Sequence, residues 1–196
     1  MFQGLSPNYC HRGRYDVVFP GSEIPEWFSH QCMGNEVNIM EPFSHLCNDW
    51  IGIAICVVFC TLPNHRIHDD LVSCILRANG KSMAPRQGIG LMVALLDHIW
   101  LCYLLPQYKY FSEEERKTLW ECDANGFREI GIKINNGHLS LVKKCGLRVV
   151  YKKDIEDLNS TVNQCSNNSI IPYEGLKESM VNIVTSQVST RNVVKS

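Results

Sequence analysis

Hydrophobic side chains recur at every second position through most of this chain, and that period constrains its fold more than any other feature. In 145–152, Cys145, Leu147, Val149 and Tyr151 share one face, while Gly146, Arg148 and Lys152 share the other. In 128–134, Ile130, Ile132 and Ile134 oppose Glu129, Gly131 and Lys133, and in 71–79, Val72, Cys74, Leu76 and Ala78 oppose Ser73 and Arg77. Extended backbone turns successive side chains to opposite faces, so these are half-buried strands of the kind antiparallel sheets allow. Residues 15–19, 36–40, 50–60, 98–104 and 118–123 are further candidate strands, and short helical turns are expected near 25–30 and 111–117. Between them stand the turn signals Pro20-Gly21, Met33-Gly34-Asn35, Asn79-Gly80, Asn125-Gly126 and Asn136-Gly137. The last of these, between Ile134 and Leu139, is expected to close a two-residue hairpin. The pattern predicts an all-β antiparallel sandwich, jelly-roll or Ig-like, of about eight or nine strands.

Composition then removes several classes of function. The 196 residues are 45% hydrophobic and 20% charged, as a folded domain is, and the formal net charge of −1 gives no basic footprint for nucleic acid or anionic membrane. The apolar run 50–60 is far shorter than the ~20 residues a spanning helix requires. The longer run 89–105 carries Asp97 and His98 at its middle, where charge is costly. The ten cysteines are expected to be reduced thiols. Residues 1–8 lack the basic and apolar regions of a signal peptide, and the cysteine spacings are scattered. Cys56, Cys74, Cys102 and Cys145 sit inside apolar runs, where cysteine behaves as a small hydrophobe. The sequons at Asn159 and Asn167 would matter only in a secreted chain. Beyond residue 154 the pattern fades, and 159–169 is rich in Ser, Asn and Thr as linkers are, so 159–196 reads as a flexible tail.

Catalytic chemistry has little support. His65-x-x-His68 has a spacing that can suit a metal on a helix, but Pro63 and Asn64 argue for an irregular loop with solvated histidines. There is no Cys-x-x-Cys. Asp97-His98 beside Trp100, and Ser112 beside Glu113-Glu114-Glu115, form no nucleophile elbow or acid–base constellation; a strand-start Asp and a charged loop account for them. Gly88-Ile89-Gly90 lacks the third glycine and the strand–helix setting of a dinucleotide site. No catalytic, cofactor-binding or metal-binding residue is assigned.

Binding is better supported. The loops 61–70, 80–88 and 105–117 are long enough to present a surface, and they carry His65, Arg66 and His68, then Arg86 and Gln87, then Tyr108, Tyr110 and Phe111. Tyr and Arg concentrate in protein-binding hot spots. An aromatic run in a loop is also commonly a satellite core beneath that loop, so contact surface and packing both remain open for Tyr108, Tyr110 and Phe111.

Four stretches carry a family resemblance. Pro20-Gly21-Ser22-Glu23-Ile24-Pro25-Glu26-Trp27-Phe28 resembles the opening motif of the post-LRR domain of plant TIR-type nucleotide-binding leucine-rich-repeat immune receptors, the C-terminal jelly-roll/Ig-like domain (C-JID). Ile51-Gly52-Ile53-Ala54-Ile55-Cys56-Val57-Val58-Phe59 resembles its core strand. Asp97-His98-Ile99-Trp100-Leu101-Cys102-Tyr103 is similar to its Asp-His-Val-Trp-Leu-type strand. Lys144-Cys145-Gly146-Leu147-Arg148-Val149-Val150-Tyr151-Lys152-Lys153-Asp154 resembles its closing Cys-Gly-Arg-Val-Tyr motif. Pro20, Pro25 and Gly21 are expected to set a tight turn, Gly21 by a conformation other residues resist. Trp27 and Phe28 are expected to anchor the segment, Ile24 is a further motif position, and Gly146 is expected to mark a bulge or close backbone approach. With Trp100, Cys145 and Tyr151 these are structural positions.

The resemblance implies a domain at 15–158, preceded by a lead-in from the repeat region at 1–14. It implies a non-catalytic module that helps the leucine-rich repeats bind a pathogen effector protein, so that the receptor oligomerises and its TIR domains hydrolyse NAD⁺. Its location would be intracellular, cytoplasmic and extending to the nucleus. No TIR, Walker-type or leucine-repeat sequence is present, so any such chemistry belongs to a longer parent chain. The rivals are a structural cap on the repeat solenoid, a sugar-binding jelly roll and a Cys-dependent hydrolase.

Overall fold

The computed structural model describes residues 9–10, 13–42, 49–61, 71–83, 88–90, 96–106, 108–135 and 140–154. In chain order the elements are β1 (Tyr9–Cys10), β2 (Arg14–Pro20), β3 (His30–Met33), β4 (Glu36–Pro42), β5 (Trp50–Thr61) and β6 (Leu71–Ala78). They continue with β7 (Lys81–Ser82), β8 (Gly88–Gly90), β9 (His98–Leu104), α1 (Glu113–Trp120), β10 (Phe127–Asn135) and β11 (Ser140–Tyr151). One sheet has the order β1-β2-β9-β5-β11-β3, the other β4-β10-β6-β7, with β8 also on β6. The registered pairs are antiparallel. The all-β antiparallel sandwich expected from the alternation is therefore the fold, and its eight longer strands match the number anticipated.

A small cavity of about 20 Å³ lined by Ile55, Cys102 and Leu104 from the first sheet and Cys74 and Leu76 from the second identifies the inner faces. Ile130, Ile132 and Ile134 of β10 and Ile53, Val57 and Phe59 of β5 continue the core, all at or near full burial. In the six-stranded sheet burial does not stop at the inner face. Ala54, Cys56 and Val58, on the opposite side of β5, are fully buried as well, as are Leu101 and Tyr103 on β9. This is why 50–61 reads as an unbroken apolar run instead of an alternating one.

Two compact units are distinguishable, one of 1–48 and 52–149, the other of 49–51 and 150–196. Within the described part of the second, Lys152 Nζ pairs with Asp49 Oδ1 at 2.9 Å and the Tyr151 N–H donates to Asp154 Oδ2 at 2.8 Å. The tail expected at 159–196 lies outside the described residues. Part of the lead-in at 1–14 belongs to the sheet, since Tyr9 and Cys10 pair with Asp16 and Tyr15.

Several local expectations are corrected. The strand expected at 118–123 is instead the last residues of α1, which ends at Trp120, and the non-helical segment that follows. Ser112 accepts from the Glu115 N–H at 3.1 Å and Glu115 Oε2 accepts from the Ser112 N–H at 2.7 Å, a reciprocal cap that starts a helix and defeats a six-residue alternation. At 25–30 the expected turn is present, at Glu26 and Trp27, before β3 begins. Asn136-Gly137 lies outside the described residues, and the flanking strands β10 and β11 pair in different sheets, so no hairpin joins them. The two-residue hairpin is at Asn79-Gly80, between Ala78 and its partner Lys81. Both residues have positive φ, 48° and 76°, as a type I′ turn demands. Asn79 also donates through Nδ2 to the carbonyls of Thr118 (3.3 Å) and Glu121 (3.0 Å), and accepts from the Glu129 N–H (3.0 Å), tying the end of α1 to β10.

Candidate functional site

The opening and closing motifs, more than 100 residues apart, meet at one corner of the six-stranded sheet. After β2, the chain leaves one side of β9 and must reach β3, which lies beyond β5 and β11. Residues 21–29 make that passage as a strap. At its start the Gly21 N–H donates to the Asp97 carbonyl at 3.0 Å, and a Cβ on Gly21 would stand 2.7 Å from Ile99 Cδ1. A side chain on Gly21 would have to displace the end of Ile99; the Gly21 backbone is not in the left-handed region, which corrects the expectation of a special turn conformation. Ile24, Pro25 and Phe28 are buried along the strap. A fully buried Phe contributes roughly 1.5–3 kcal/mol.

At the far end the strap is fastened to β11. A Cβ on Gly146 would lie 3.1 Å from Ile24 Cγ2 and 3.4 Å from Phe28 Cβ, so the bare glycine backbone receives both side chains. The Arg148 guanidinium lies 4.7 Å from the centre of the Trp27 ring, and its Nη1 donates to the Trp27 carbonyl at 2.5 Å. Gln31 Nε2 donates to the carbonyls of Pro25 (3.3 Å) and Phe28 (3.1 Å). Lys144 Nζ meets Glu23 Oε2 at 2.5 Å on the open side, where an ion pair adds little. The motif residues Ile24, Trp27, Phe28 and Gly146 therefore build a scaffold corner with Arg148; Gly21 and Pro25 lie on the strap that leads to it, Pro20 ends β2 exposed, and Cys145 is buried on the other face of β11. Trp100 is fully buried in β9 and donates through Nε1 to Asp16 Oδ1 at 2.8 Å; Tyr151 ends β11 half-buried.

The aromatic loop resolves toward packing. Tyr108 and Phe111 are 2% and 3% exposed, their rings 5.2 Å apart and edge-on. Both line the inter-sheet cavity beside Arg14. Two of the proposed contact residues are thus core, because a loop closing the end of a sandwich needs apolar side chains to plug it. Tyr110 is half-buried against Tyr108 and retains an open side. His65, Arg66, His68, Arg86 and Gln87 lie outside the described residues.

Arg14, which the alternation left unassigned, is 6% exposed and forms a two-point ion pair with Asp16, Nε to Oδ2 at 2.7 Å and Nη2 to Oδ1 at 2.8 Å. With the Trp100 indole on the same carboxylate, this is a part-buried ion-pair network. Its sequence signal was Arg14-x-Asp16 at the head of a strand, an i, i+2 pair on one face.

None of the four thiols inside apolar runs is a nucleophile poised for catalysis. Burial pushes Cys56, Cys74 and Cys145 up to about 12 and Cys102 well above its ordinary value, so each stays protonated near neutral pH. His30 Nδ1 is 3.0 Å from Ser29 Oγ, and His98 Nδ1 is 2.9 Å from the Leu96 carbonyl. Among the described residues no group of His, Cys, Asp and Glu is placed to hold a metal, and no helix is long and apolar enough to cross a membrane.

The outer face of the five-stranded sheet is the surface sequence reasoning missed. Registers place Met40 opposite Glu129 and Pro42 opposite Phe127, all facing away from the core. Met40 is 59% exposed and Phe127 41%. Apolar residues on a strand's nominally polar face were the available signal.

Residues 19–156 match the C-JID domain family. A disease resistance protein RPS4 of Arabidopsis thaliana is 31% identical over 165 residues, covering 76% of this chain and 13% of its own length. Disease resistance protein RPP2B of the same plant is 24% identical over 196 residues, covering 84% of this chain and 16% of its own length. The protein SUPPRESSOR OF npr1-1, CONSTITUTIVE 1, also from Arabidopsis thaliana, is 24% identical over 147 residues, covering 74% and 9% respectively. The chain thus spans less than a fifth of the length of these curated relatives.

Proposed function

This chain belongs to the C-JID domain family, and from that premise we propose that it is a non-catalytic recognition module of a plant disease-resistance receptor. In this reading it binds a pathogen effector protein together with leucine-rich repeats of the same receptor, inside the cell, and no cofactor takes part. Binding licenses receptor oligomerisation and NAD⁺ hydrolysis by TIR domains elsewhere in the parent chain. The observation that carries the reading is the family match over 19–156. Contact is assigned to Tyr110 and to the loops bearing His65, Arg66, His68, Arg86 and Gln87, with aromatic and arginine anchors supplying most of the affinity.

The test immobilises the 196-residue chain and passes candidate effectors of a matched pathogen over it. Saturable binding that falls at least tenfold, about 1.4 kcal/mol, in an Arg86→Ala/Tyr110→Ala variant supports the assignment. Full binding by that variant overturns it.

A second reading is favoured by the exposed Met40, Pro42 and Phe127. An apolar sheet face of this kind suits a cap on the end of a repeat solenoid, which must cover its last apolar surface. Binding only by repeats and domain together, lost on Met40→Glu/Phe127→Glu, would establish that role in place of direct sensing.

A further inference from the structure

Cys32 and Cys145 stand directly opposite each other where β3 joins β11. The Gly34 N–H donates to the Lys143 carbonyl at 2.8 Å, so that pair is hydrogen-bonded. Alternation along an antiparallel ladder makes Cys32 and Cys145, two residues further on, hydrogen-bonded as well, with Cα atoms about 5.5 Å apart. Their side chains leave the sheet on the same face, and the Cα separation falls inside the ~4.4–6.8 Å range of a disulfide. The Cβ atoms of a hydrogen-bonded pair stand about 5.5 Å apart, so bridging requires β3, an edge strand, to close on β11 by about 1 Å. Both are free thiols here; Cys145 is buried and Cys32 is half-exposed, its S–H directed to the Met33 carbonyl at 3.1 Å.

We propose that Cys32 and Cys145 are an oxidisable pair, Cys32 the entry thiol and Cys145 the resolving one, whose cross-strand disulfide locks the strap to the sheet. Among the registered pairs, β3 is fastened only to β11, at the sheet edge, and it carries the strap's far end. A covalent bond at Cys32 would therefore fix a segment otherwise held by Gln31, the Trp27–Arg148 stack and edge hydrogen bonds. The oxidant is a small disulfide of the glutathione class. The Cys32 thiolate attacks one of its sulfurs, that S–S bond breaks, and one glutathione leaves as thiolate while the other stays on Cys32. Cys145 gives up its proton, attacks the Cys32 sulfur and expels the second glutathione. Two cysteines lose two electrons and two protons, and one oxidised glutathione becomes two reduced molecules. Burial, with smaller contributions from Cys32 and Glu36, pushes the Cys145 thiol up to about 12, which makes the second step the slower one and accelerates it as pH rises.

The test treats the reduced 196-residue chain with oxidised glutathione at mildly alkaline pH and reads intact mass and a non-reducing peptide map. A peptide joining Cys32 to Cys145, with loss of two hydrogen masses, supports the proposal. It should vanish in Cys32→Ser and give way to a glutathione adduct on Cys32 in Cys145→Ala. A wild-type chain that stops at that same adduct, or that pairs Cys32 with another cysteine, overturns it. Amide exchange supplies a readout in the unaltered sequence: the Cys32 and Gly34 N–H groups should exchange at least about tenfold more slowly after oxidation, as local opening of β3 is suppressed. Unchanged exchange in the cross-linked chain overturns the locking of the strap.

Discussion

In the six-stranded sheet, β5 and β9 bury both faces; in the five-stranded sheet, β4 and β10 bury Val37, Ile39, Ile130, Ile132 and Ile134 inward and leave Met40 and Phe127 in solvent. The difference begins with what the chain lays over each sheet. The strap of the opening motif runs along the first sheet and delivers Ile24, Pro25 and Phe28 to it. Among the described residues nothing comparable lies over Met40 and Phe127. One sheet is a finished piece of scaffold, and the other keeps a side on which a partner can be placed.

The sharpest way to break this comparison is at Trp100. Trp100→Ala removes a fully buried indole and deprives the Asp16 carboxylate of its 2.8 Å donor, beside the buried Arg14. The expected loss is about 3–5 kcal/mol, the range for large aromatic truncations in a core, read by denaturant unfolding. Phe127→Ala should stay within about 0.5 kcal/mol, as exposed positions do. Comparable losses at the two sites would mean that the second sheet is as firmly covered as the first.

Gly146 tests the strap itself. Its Cβ position has 3.1 Å to Ile24 Cγ2, so an added methyl forces a small shift, and the branched side chain of Gly146→Val must lift Ile24 and Phe28. A cost of about 1–3 kcal/mol is expected from overpacking, with faster amide exchange along 24–33. A neutral Gly146→Val would show that the strap lies loosely. Arg148→Lys is a gentler probe. Lysine keeps the charge but loses the planar stack on Trp27, so about 1 kcal/mol should be lost, and Arg148→Ala should cost more, since it removes the Trp27 carbonyl's donor as well.

These residues also show how far the sequence could be read. Alternation located β6, β10 and the second half of β11, where apolar residues take the inward positions, and a continuous apolar run located β5 because it exposes neither face. It failed at 118–123, where Ser112 and Glu115 form a reciprocal helix cap that a short strand-like pattern could not outweigh. It chose the wrong Asn-Gly hairpin, because turn chemistry says that a chain can reverse and not which strands then pair. The scaffold corner was legible only as motifs, since its physical content is the contact of Ile24, Trp27 and Phe28 with Gly146 and Arg148, across more than 100 residues. The aromatic loop was undecidable by composition: Tyr and Phe serve equally as anchors and as plugs, and burial against Arg14 made Tyr108 and Phe111 plugs.

The smallest effect on stability should accompany the largest effect on partnership. Met40 and Phe127 face outward on neighbouring strands, in line with Pro42, and neither contributes to the inter-sheet core. Met40→Glu/Phe127→Glu should therefore leave unfolding within about 0.5 kcal/mol of the parent. The two added carboxylates would still have to be desolvated by anything apolar that docks there, and an unpaired buried charge is strongly unfavourable. If the five-stranded sheet is the partner side, association with a leucine-rich-repeat array should fall at least tenfold while the domain remains folded, as measured by co-purification and by unfolding of the same preparation. If association survives, the exposed apolar residues are incidental surface, and the division between a scaffold sheet and a partner sheet fails. If folding fails instead, Met40 and Phe127 belong to the core after all, and the two sheets are alike.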